Sequence, residues 1–487
     1  MSRARLPLPP GPPGLPFIGN AHQIRGSDRW KTFQRWHKQY GPVICVKNGL
    51  KPMIVLGDYK TARDLLDKRG DIYSSRPDMV VPYWLSKGFN TTTLPYGGKW
   101  RNHHRVQAGL LNTRMAQKYQ LLQDIESRQV MHEMLDTNNF IPVFHRFSSS
   151  LIFTLAYGRR LSTCDSEEIH QADRMLEDFV YACHRFGFLE NFPFLNYLPP
   201  WLATWKKWGD EYHQRAMEFF ESKFKEGQAK SSWNWTKQAK KINQSTKEPL
   251  VADPAELTFV VGLLHEAASA TTDKALQFFV MACVLHPDAA RRAQKELDEV
   301  VGADRLPDFE DMPNLPYTKA FINEIQRWRP LILEGVAHAS TKDDEYMGYR
   351  IPRGAVVTAN HWSLDMDEEV FPEPEEFKPE RWLNNPNLPQ STFGFGRRVC
   401  TGQNVARNSV FIIGARILWG YDISHAYEED GTRIEIDSWS MTQNISTNPT
   451  PFTPCFRVRG PQQKITIDSA WADAEKDPDS ILSKLGI

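Results

Sequence analysis

The stretch Phe393-Gly394-Phe395-Gly396-Arg397-Arg398-Val399-Cys400-Thr401-Gly402 gathers three glycines, two arginines and a lone cysteine within ten residues. The glycines allow tight backbone turns and the close approach of a large flat group. Residues from about Cys400 to Trp419 follow with helical spacing, so the cysteine stands at the start of a predicted helix. A helix N-terminus offers free N–H groups and partial positive charge, which favour thiolate over thiol. Arg398, two residues away, can pair with a carboxylate. A thiolate in a glycine-walled loop beside such an arginine is what a haem iron needs as axial ligand, and thiolate donation favours O–O cleavage.

Composition leaves room for this chemistry and removes others. The 487 residues carry 59 Lys+Arg against 59 Asp+Glu, so no global basic field points to nucleic acid. Hydrophobic residues make up 41%, a globular share that excludes wholesale disorder. The six cysteines form no C-x-x-C pair, and their sparseness fits a reducing compartment. No apolar run reaches 18 residues, and Met1-Ser2-Arg3-Ala4-Arg5 leads straight into a Pro/Gly arm without the apolar core of a signal peptide. Neither G-x-S-x-G nor G-x-x-x-x-G-K-[ST] occurs, which sets aside hydrolase and kinase readings.

Periodicity predicts a mainly α fold with a smaller β part, packed as one large unit. A stiff arm over 1–16 precedes a helix capped by Ser27, and Val43–Val46 with Met53–Leu56 read as a hairpin. Helices are expected over 58–69, 98–112, 115–137, 141–157, 168–187, 204–227, 288–301 and 315–328. The lysine-rich stretch 228–250 reads as an exposed loop. Asp253-Pro254-Ala255-Glu256 opens a long helix in the N-cap, N1-proline manner, running to about Leu285. Short strands are expected between Pro330 and Thr358, and at Ile434–Ile436 and Phe456–Val458.

With the pattern F-x-x-G-x-R-x-C-x-G complete, the chain resembles the cytochrome P-450 family, and further signatures occur in the family's order. Glu324-Ile325-Gln326-Arg327 matches E-x-x-R, and Pro379-Glu380-Arg381-Trp382 matches P-E-R-[FW]. The resemblance implies that Arg381 joins the Glu324–Arg327 pair to lock the cysteine loop. It also implies a P-450 fold, with haem b held between the long distal helix and the cysteine loop with its last helix, and Cys400 as the iron ligand. Phe393, Arg398 and Gly402 then belong to the haem-binding set. Trp100 falls where the family contacts a haem propionate, but the arginine usual four residues on is His104 here, with Arg105 next. His104 would donate the same hydrogen bond or Arg105 would compensate, and His338 matches another propionate contact. The similarity covers about residues 6–460, giving a catalytic domain over 17–460 and an extension over 461–487.

In Glu266-Ala267-Ala268-Ser269-Ala270-Thr271-Thr272 the family pattern places Thr271 on dioxygen and its proton-delivering water. Ala268 replaces the usual glycine and Ala270 the usual acid; Glu266, one turn earlier on the same face, is the candidate substitute. Family analogy puts Val81, Trp84, Phe89, Leu264, His265, Ala268, Leu333 and Phe452 in an apolar, aromatic substrate pocket, with Glu334 and His265 as polar anchors. Lys99, Arg101, Arg105 and Arg397 are expected on the proximal face, to dock an NADPH-cytochrome P-450 reductase. The wording is most like fungal microsomal members of secondary metabolism. That implies a monomeric monooxygenase on the cytosolic face of the endoplasmic reticulum, touching the membrane through an anchor. Two alternatives stand beside it: oxidative coupling or ring formation at the same haem without oxygen insertion, and a non-catalytic haem-binding sensor.

Overall fold

The computed structural model describes residues 6–24, 26, 28–49, 51–190, 192–442 and 446–486, so the expected Ser27 cap lies outside the described residues. The helices used below are α1 (Arg29–Tyr40), α2 (Val80–Ser86), α3 (Gly98–Leu111), α4 (Thr113–Glu133), α5 (Phe140–Tyr157), α6 (Glu167–Arg185), α7 (Thr204–Ala229), α8 (Trp235–Asn243), α9 (Pro254–Leu285), α10 (Pro287–Val300), α11 (Pro316–Trp328), α12 (Glu380–Asn384), α13 (Gln403–Gly420), α14 (Pro461–Ala472) and α15 (Pro478–Ser483). The β part comprises β1 (Val43–Asn48), β2 (Lys51–Leu56), β3 (His338–Ala339), β4 (Asp344–Tyr346), β5 (Tyr349–Ile351), β6 (Val356–Ala359), β7 (Tyr421–His425) and β8 (Pro454–Val458).

The centre of the fold is α9, apolar on almost every face, as a helix surrounded by other helices must be. The Asp253 carboxylate accepts from the Ala255 N–H at 2.9 Å and Pro254 occupies the first turn. The helix stops at His286, because Pro287 disfavours α geometry in the residue before it. Around it pack α5, α7, α8, α10, α11 and α13. Ser148, Ser149 and Ser150 are buried on α5, and the Ser150 hydroxyl donates to the Glu126 carboxylate of α4 at 2.8 Å.

The main sheet has the order β1-β2-β6-β3, with β2 and β6 parallel and the other pairs antiparallel. The proline arm lies in extended form against β1 of this sheet and β5 of the separate β4-β5 pair: Pro10 C=O accepts from Cys45 N–H and Pro7 C=O from Arg350 N–H, both at 2.8 Å. A Cβ on Gly11 would sit 2.1 Å from the Cys45 carbonyl oxygen, so only glycine permits this approach.

Two expectations need correction. Residues 228–250 are not one exposed loop, because they contain α8. Trp235, Ala239 and Ile242 recur at i, i+4 and i+7 and face inward, and the Trp235 indole donates to the Tyr119 hydroxyl at 2.9 Å. The lysines hid this stripe by supplying only the outer face. Ile434–Ile436 form no strand; the partner of β8 is β7, and around 434 there is only a bridge between Tyr427 and Arg433. The tail beyond 460 folds as α14 and α15 against α4, with Ile467, Ile481 and Leu482 buried and Trp471 stacked on His132 at 6.3 Å.

Candidate functional site

The cysteine loop is shaped by backbone that only glycine tolerates. Gly394 and Gly396 have φ of 75° and 58°. A Cβ on Gly396 would fall 2.1 Å from the Leu66 carbonyl oxygen. Cys400 N–H donates to the Phe393 C=O at 2.9 Å and closes the loop. The sulfur is enclosed by the protein and yet keeps exposed surface, so it borders an open interior space. Burial pushes its pKa up, and the backbone N–H groups of Gly402 and Gln403 oppose that. The helix-terminus effect read from sequence is therefore present but outweighed in the protein alone; a cation on the sulfur would reverse the balance. A Cβ at Gly402 would lie 3.9 Å from the sulfur.

Behind the loop, the expected lock is formed. The buried Glu324 carboxylate accepts from Arg327 Nη2 at 2.6 Å and Nε at 2.9 Å, Arg381 Nε at 3.1 Å, Trp382 Nε1 at 2.9 Å and the Lys378 N–H at 2.9 Å. Arg327 also donates to the Asp365 C=O at 3.0 Å, and the Asp365 carboxylate accepts from Ser391 Oγ at 2.7 Å, two residues before Phe393. The lock thus reaches the cysteine loop through Asp365, a link that the motifs did not reveal. Phe393 lies under the Arg407 guanidinium at 4.6 Å.

Beside the loop sits a group of cations, and among the described residues Arg76 and Arg398 have no carboxylate partner. Arg398 donates to the carbonyls of Ser74 and Leu94, each at 2.7 Å, and lies over the Trp100 ring at 4.4 Å. Trp100 stacks on His104 with centroids 4.7 Å apart. Arg76, which the sequence analysis missed, donates to the carbonyls of Thr92, Val336 and Ala337. Burial pulls Arg76 down to about 9, helped by the charge of Arg398, and pulls Arg398 down to about 10. His338 gives its Nδ1 to the Tyr73 C=O at 2.7 Å; burial first, then Arg76 and Arg398, press it down to about 3. Buried charges are normally paired. A ligand bearing carboxylates beside a thiolate-bound metal meets that need, so these residues fit a haem with its propionates. Arg105 is not in the group: on α3 it falls on the exposed face. Lys99 also leaves the expected patch, since it pairs with Glu256 at 2.9 Å and lies over Phe89 at 5.1 Å. Arg101, Arg105 and Arg397 are exposed, with Arg101 and Arg397 both over the Tyr96 ring.

Helix α9 carries an uncovered surface. Residues 257–265 and 276–284 are buried, but between them Ala267 is exposed and Ala268, Ala270 and Thr271 are half-buried. These fall within about one half of the helix circumference, an uncovered stripe in the middle of the most buried helix. The Thr271 hydroxyl donates to the Ala267 C=O at 2.9 Å, leaving its lone pairs free. Glu266 lies toward α5 and α7: burial lifts its pKa to about 7, and its charge is felt at Tyr157 and Tyr212.

Not every expected pocket residue takes part. His265 is packed between Phe153, Tyr157 and Phe219, and is no anchor in the open stripe. Leu333 clusters with Trp30, Trp362 and Met366. Phe452 packs on Phe140 at 5.4 Å. The Glu334 carboxylate is engaged by Arg29, whose Nε donates at 2.8 Å. Val81 and Leu264 are core residues. Trp84 donates to Asn196 Oδ1 at 2.7 Å, and Phe89 stands edge-on to Phe259 at 6.0 Å; both are half-buried.

Comparison with known proteins agrees with this arrangement. The family model for cytochrome P450 matches residues 9–456. Over 485 residues the chain is 46% identical to the cytochrome P450 monooxygenase aneD of Aspergillus aculeatus, covering 98% of this chain and 93% of that protein. It is 43% identical to the cytochrome P450 monooxygenase FrzL of a Cladobotryum species, covering 99% of this chain and 94% of that one. A zebra fish cytochrome P450 solved with abiraterone superposes with a TM-score of 0.74 at 23% identity, over 88% of this chain and 100% of that one, a likeness of fold. The chain belongs to the cytochrome P450 family, among its monooxygenases.

Proposed function

We propose that Cys400 would hold haem b through its thiolate. The enzyme then oxidises a bulky apolar or aromatic small molecule of fungal secondary metabolism, with dioxygen and electrons drawn from NADPH through a cytochrome P-450 reductase. The observation that carries this reading is the pair of buried Arg76 and half-buried Arg398 beside the cysteine loop, hydrogen-bonded among the described residues only to carbonyls. Two adjacent cations withdrawn from water without an anion are unfavourable unless a dianionic ligand completes them. When bound, the haem supplies the iron chemistry that activates dioxygen.

The chain's own residues do the rest. Arg76, Arg398, Trp100, His104 and His338 hold the two propionates. The Glu324 lock keeps the sulfur in register. The alanine stripe of α9 gives an apolar wall against which a flat substrate rests, with Trp84 and Phe89 at its border. Thr271 orients water with the lone pairs left by its bond to Ala267. Glu266 holds a proton one turn from Ala270 and feeds it to that water. Arg101, Arg105 and Arg397 form the exposed basic surface for the reductase. Swapping Cys400 for serine, with haem content and the reduced carbon-monoxide spectrum as readouts, tests the assignment; an unchanged spectrum ends it.

The second reading, oxidative coupling without oxygen insertion, is favoured by one observation: the acid lost at Ala270 is replaced only by a carboxyl facing α5 and α7, which slows protonation. Labelled dioxygen separates the two, since oxygen insertion puts label in the product. A ligand found by the spin-state shift of the iron on displacing water supplies the substrate for that experiment.

Among the described residues no helix is long and apolar enough to cross a membrane. The α6–α7 connection nevertheless presents Phe188, Phe194, Tyr197 and Trp201 outward, Tyr197 at 91% and Trp201 at 77% exposure. Aromatic side chains with polar tips suit the interface of a bilayer. We assign this loop to contact with the cytosolic leaflet of the endoplasmic reticulum.

A further inference from the structure

Three residues near the junction of α5 and α9 each carry a buried polar atom without a partner among the described residues. Glu266 Oε1, the Tyr157 hydroxyl and His265 Nδ1 are all shut away from solvent and make no hydrogen bond. Tyr157 is the last residue of α5, and His265 and Glu266 are neighbours on α9. The Tyr157 and His265 rings are 6.2 Å apart, and the Glu266 carboxyl is near enough for its charge to be felt at the phenol without the two bonding. Leaving such a group unmet is costly, and three unmet so close together is not a stable arrangement. Proteins meet it with a buried water, which needs two to four polar partners.

We propose that a buried water molecule joins Tyr157, His265 and Glu266 and holds Glu266 as a neutral acid beside the distal space, making Tyr157 the positioning residue for that proton. The hydrogen bonds balance. Tyr157 donates its O–H to the water, and the water donates to His265 Nδ1 and to Glu266 Oε1. His265 then carries its proton on Nε2, and the acidic proton of Glu266 rests on its second carboxyl oxygen, where the half-buried residue keeps open surface. The neighbours permit a neutral acid. Among the described residues no cation acts on Glu266, and its charge is felt at the phenol of Tyr212 on α7. Phe153 and Phe219 close the site around His265, which burial keeps neutral, while Asp173 and His145 act on it in opposite senses. The proposal rests on the reading of Glu266 as the proton donor to the α9 stripe.

Infrared spectra of the resting holoenzyme at neutral pH test it. Wild type is expected to show a neutral carboxylic C=O band that Glu266→Gln removes and that Tyr157→Phe shifts to higher frequency, while Tyr212→Phe leaves it in place. No band lost in Glu266→Gln, or a band that answers to Tyr212→Phe and not to Tyr157→Phe, overturns the proposal. Should Tyr157→Phe fold poorly, a crystal structure of the unmutated holoenzyme decides: ordered water density bounded by the three atoms supports it, and direct closure of the side chains on one another overturns it. If the band behaves as expected while peroxide leakage during turnover by Glu266→Gln matches wild type, the water site stands and the donor reading of Glu266 falls.

Discussion

Replacing Glu324 by glutamine keeps the shape of the lock and removes its charge. Oε1 accepts from Arg327 Nη2, Arg381 Nε and the Lys378 N–H; Oε2 accepts from Arg327 Nε and Trp382 Nε1. A glutamine retains one acceptor, and its best orientation puts the amide N–H2 at Oε2, facing two donors. Arg327 and Arg381 lose the carboxylate that pairs them while remaining in place, Arg327 almost wholly buried. Breaking a buried pair by removing one partner costs about 3–5 kcal/mol, a large share of a stability of roughly 5–15 kcal/mol. The loss is local first, because Arg327 reaches Ser391 through Asp365. Glu324→Gln is therefore expected to incorporate haem poorly and to lose it at lower denaturant than global unfolding requires. Haem absorbance and far-ultraviolet circular dichroism, followed through one guanidinium titration, measure both events. A variant with wild-type haem content and a midpoint unmoved refutes the claim that this carboxylate holds the loop.

Glu266→Gln has a second, signed consequence. Burial raises its pKa from 4.5 to about 7, so between these values the fold keeps a proton that the unfolded chain has released. Stability then falls as pH rises through that window. At about 1.36 kcal/mol per unit the penalty above pH 7 is roughly 3 kcal/mol, and the glutamine variant should gain that much over wild type at alkaline pH and nothing below 4.5, read from denaturant midpoints across pH. Arg76→Met should lower haem affinity at least tenfold, scored by haem transfer to apomyoglobin; unchanged transfer removes Arg76 from the propionate set. Gly396→Ala forces a Cβ into the Leu66 carbonyl at a positive φ, and is expected to yield haem-free protein, judged by the ratio of haem to protein absorbance. Tyr197→Ser with Trp201→Ser should reduce flotation with phosphatidylcholine–phosphatidylserine vesicles and leave the haem spectrum unaltered; equal flotation excludes the α6–α7 loop as the membrane contact.

What could be read in advance was what lies close together along the chain. The glycines, Arg398 and Cys400 occupy one turn, and Glu324 and Arg327 share a helix face, so local spacing carries their geometry. Helix α9 was legible from its cap and its proline-bounded end. Arg76 was not, because its role depends on carbonyls at 92, 336 and 337 that the fold brings to it. The same limit explains His265 and Leu333: a residue on a pocket-forming segment faces the pocket or the core according to helix phase or strand pleat, which segment analogy ignores. Helix α8 failed for another reason. Lysines at 237, 240 and 241 dominate its composition, while three apolar residues on the other face do the packing.

On the proposed reading, in which Glu266 takes the role of the acid absent at Ala270, the shift from position 270 to 266 is more than a change of address. One turn along α9 moves the carboxyl about 6 Å and rotates it by about 40° away from the Thr271 side. At 270 a carboxyl would border the open stripe and exchange protons with water there directly. At 266 it is enclosed toward α5 and α7, burial lifts its pKa to about 7 so that about half of it keeps its proton at neutral pH, and its charge is felt at Tyr157 and Tyr212. An acid charged at rest must first be protonated before it can give; one already neutral gives at once and is slow to refill. Such a donor suits a single well-timed proton better than a rapid succession of them. The alanines left on the stripe meanwhile widen the space available to substrate next to Thr271. A roomy apolar face with sparing proton supply is the combination under which a substrate radical lives long enough to find a second bonding partner, and it is this pairing of features, more than either alone, that makes bond formation within the substrate a competitor to oxygen insertion.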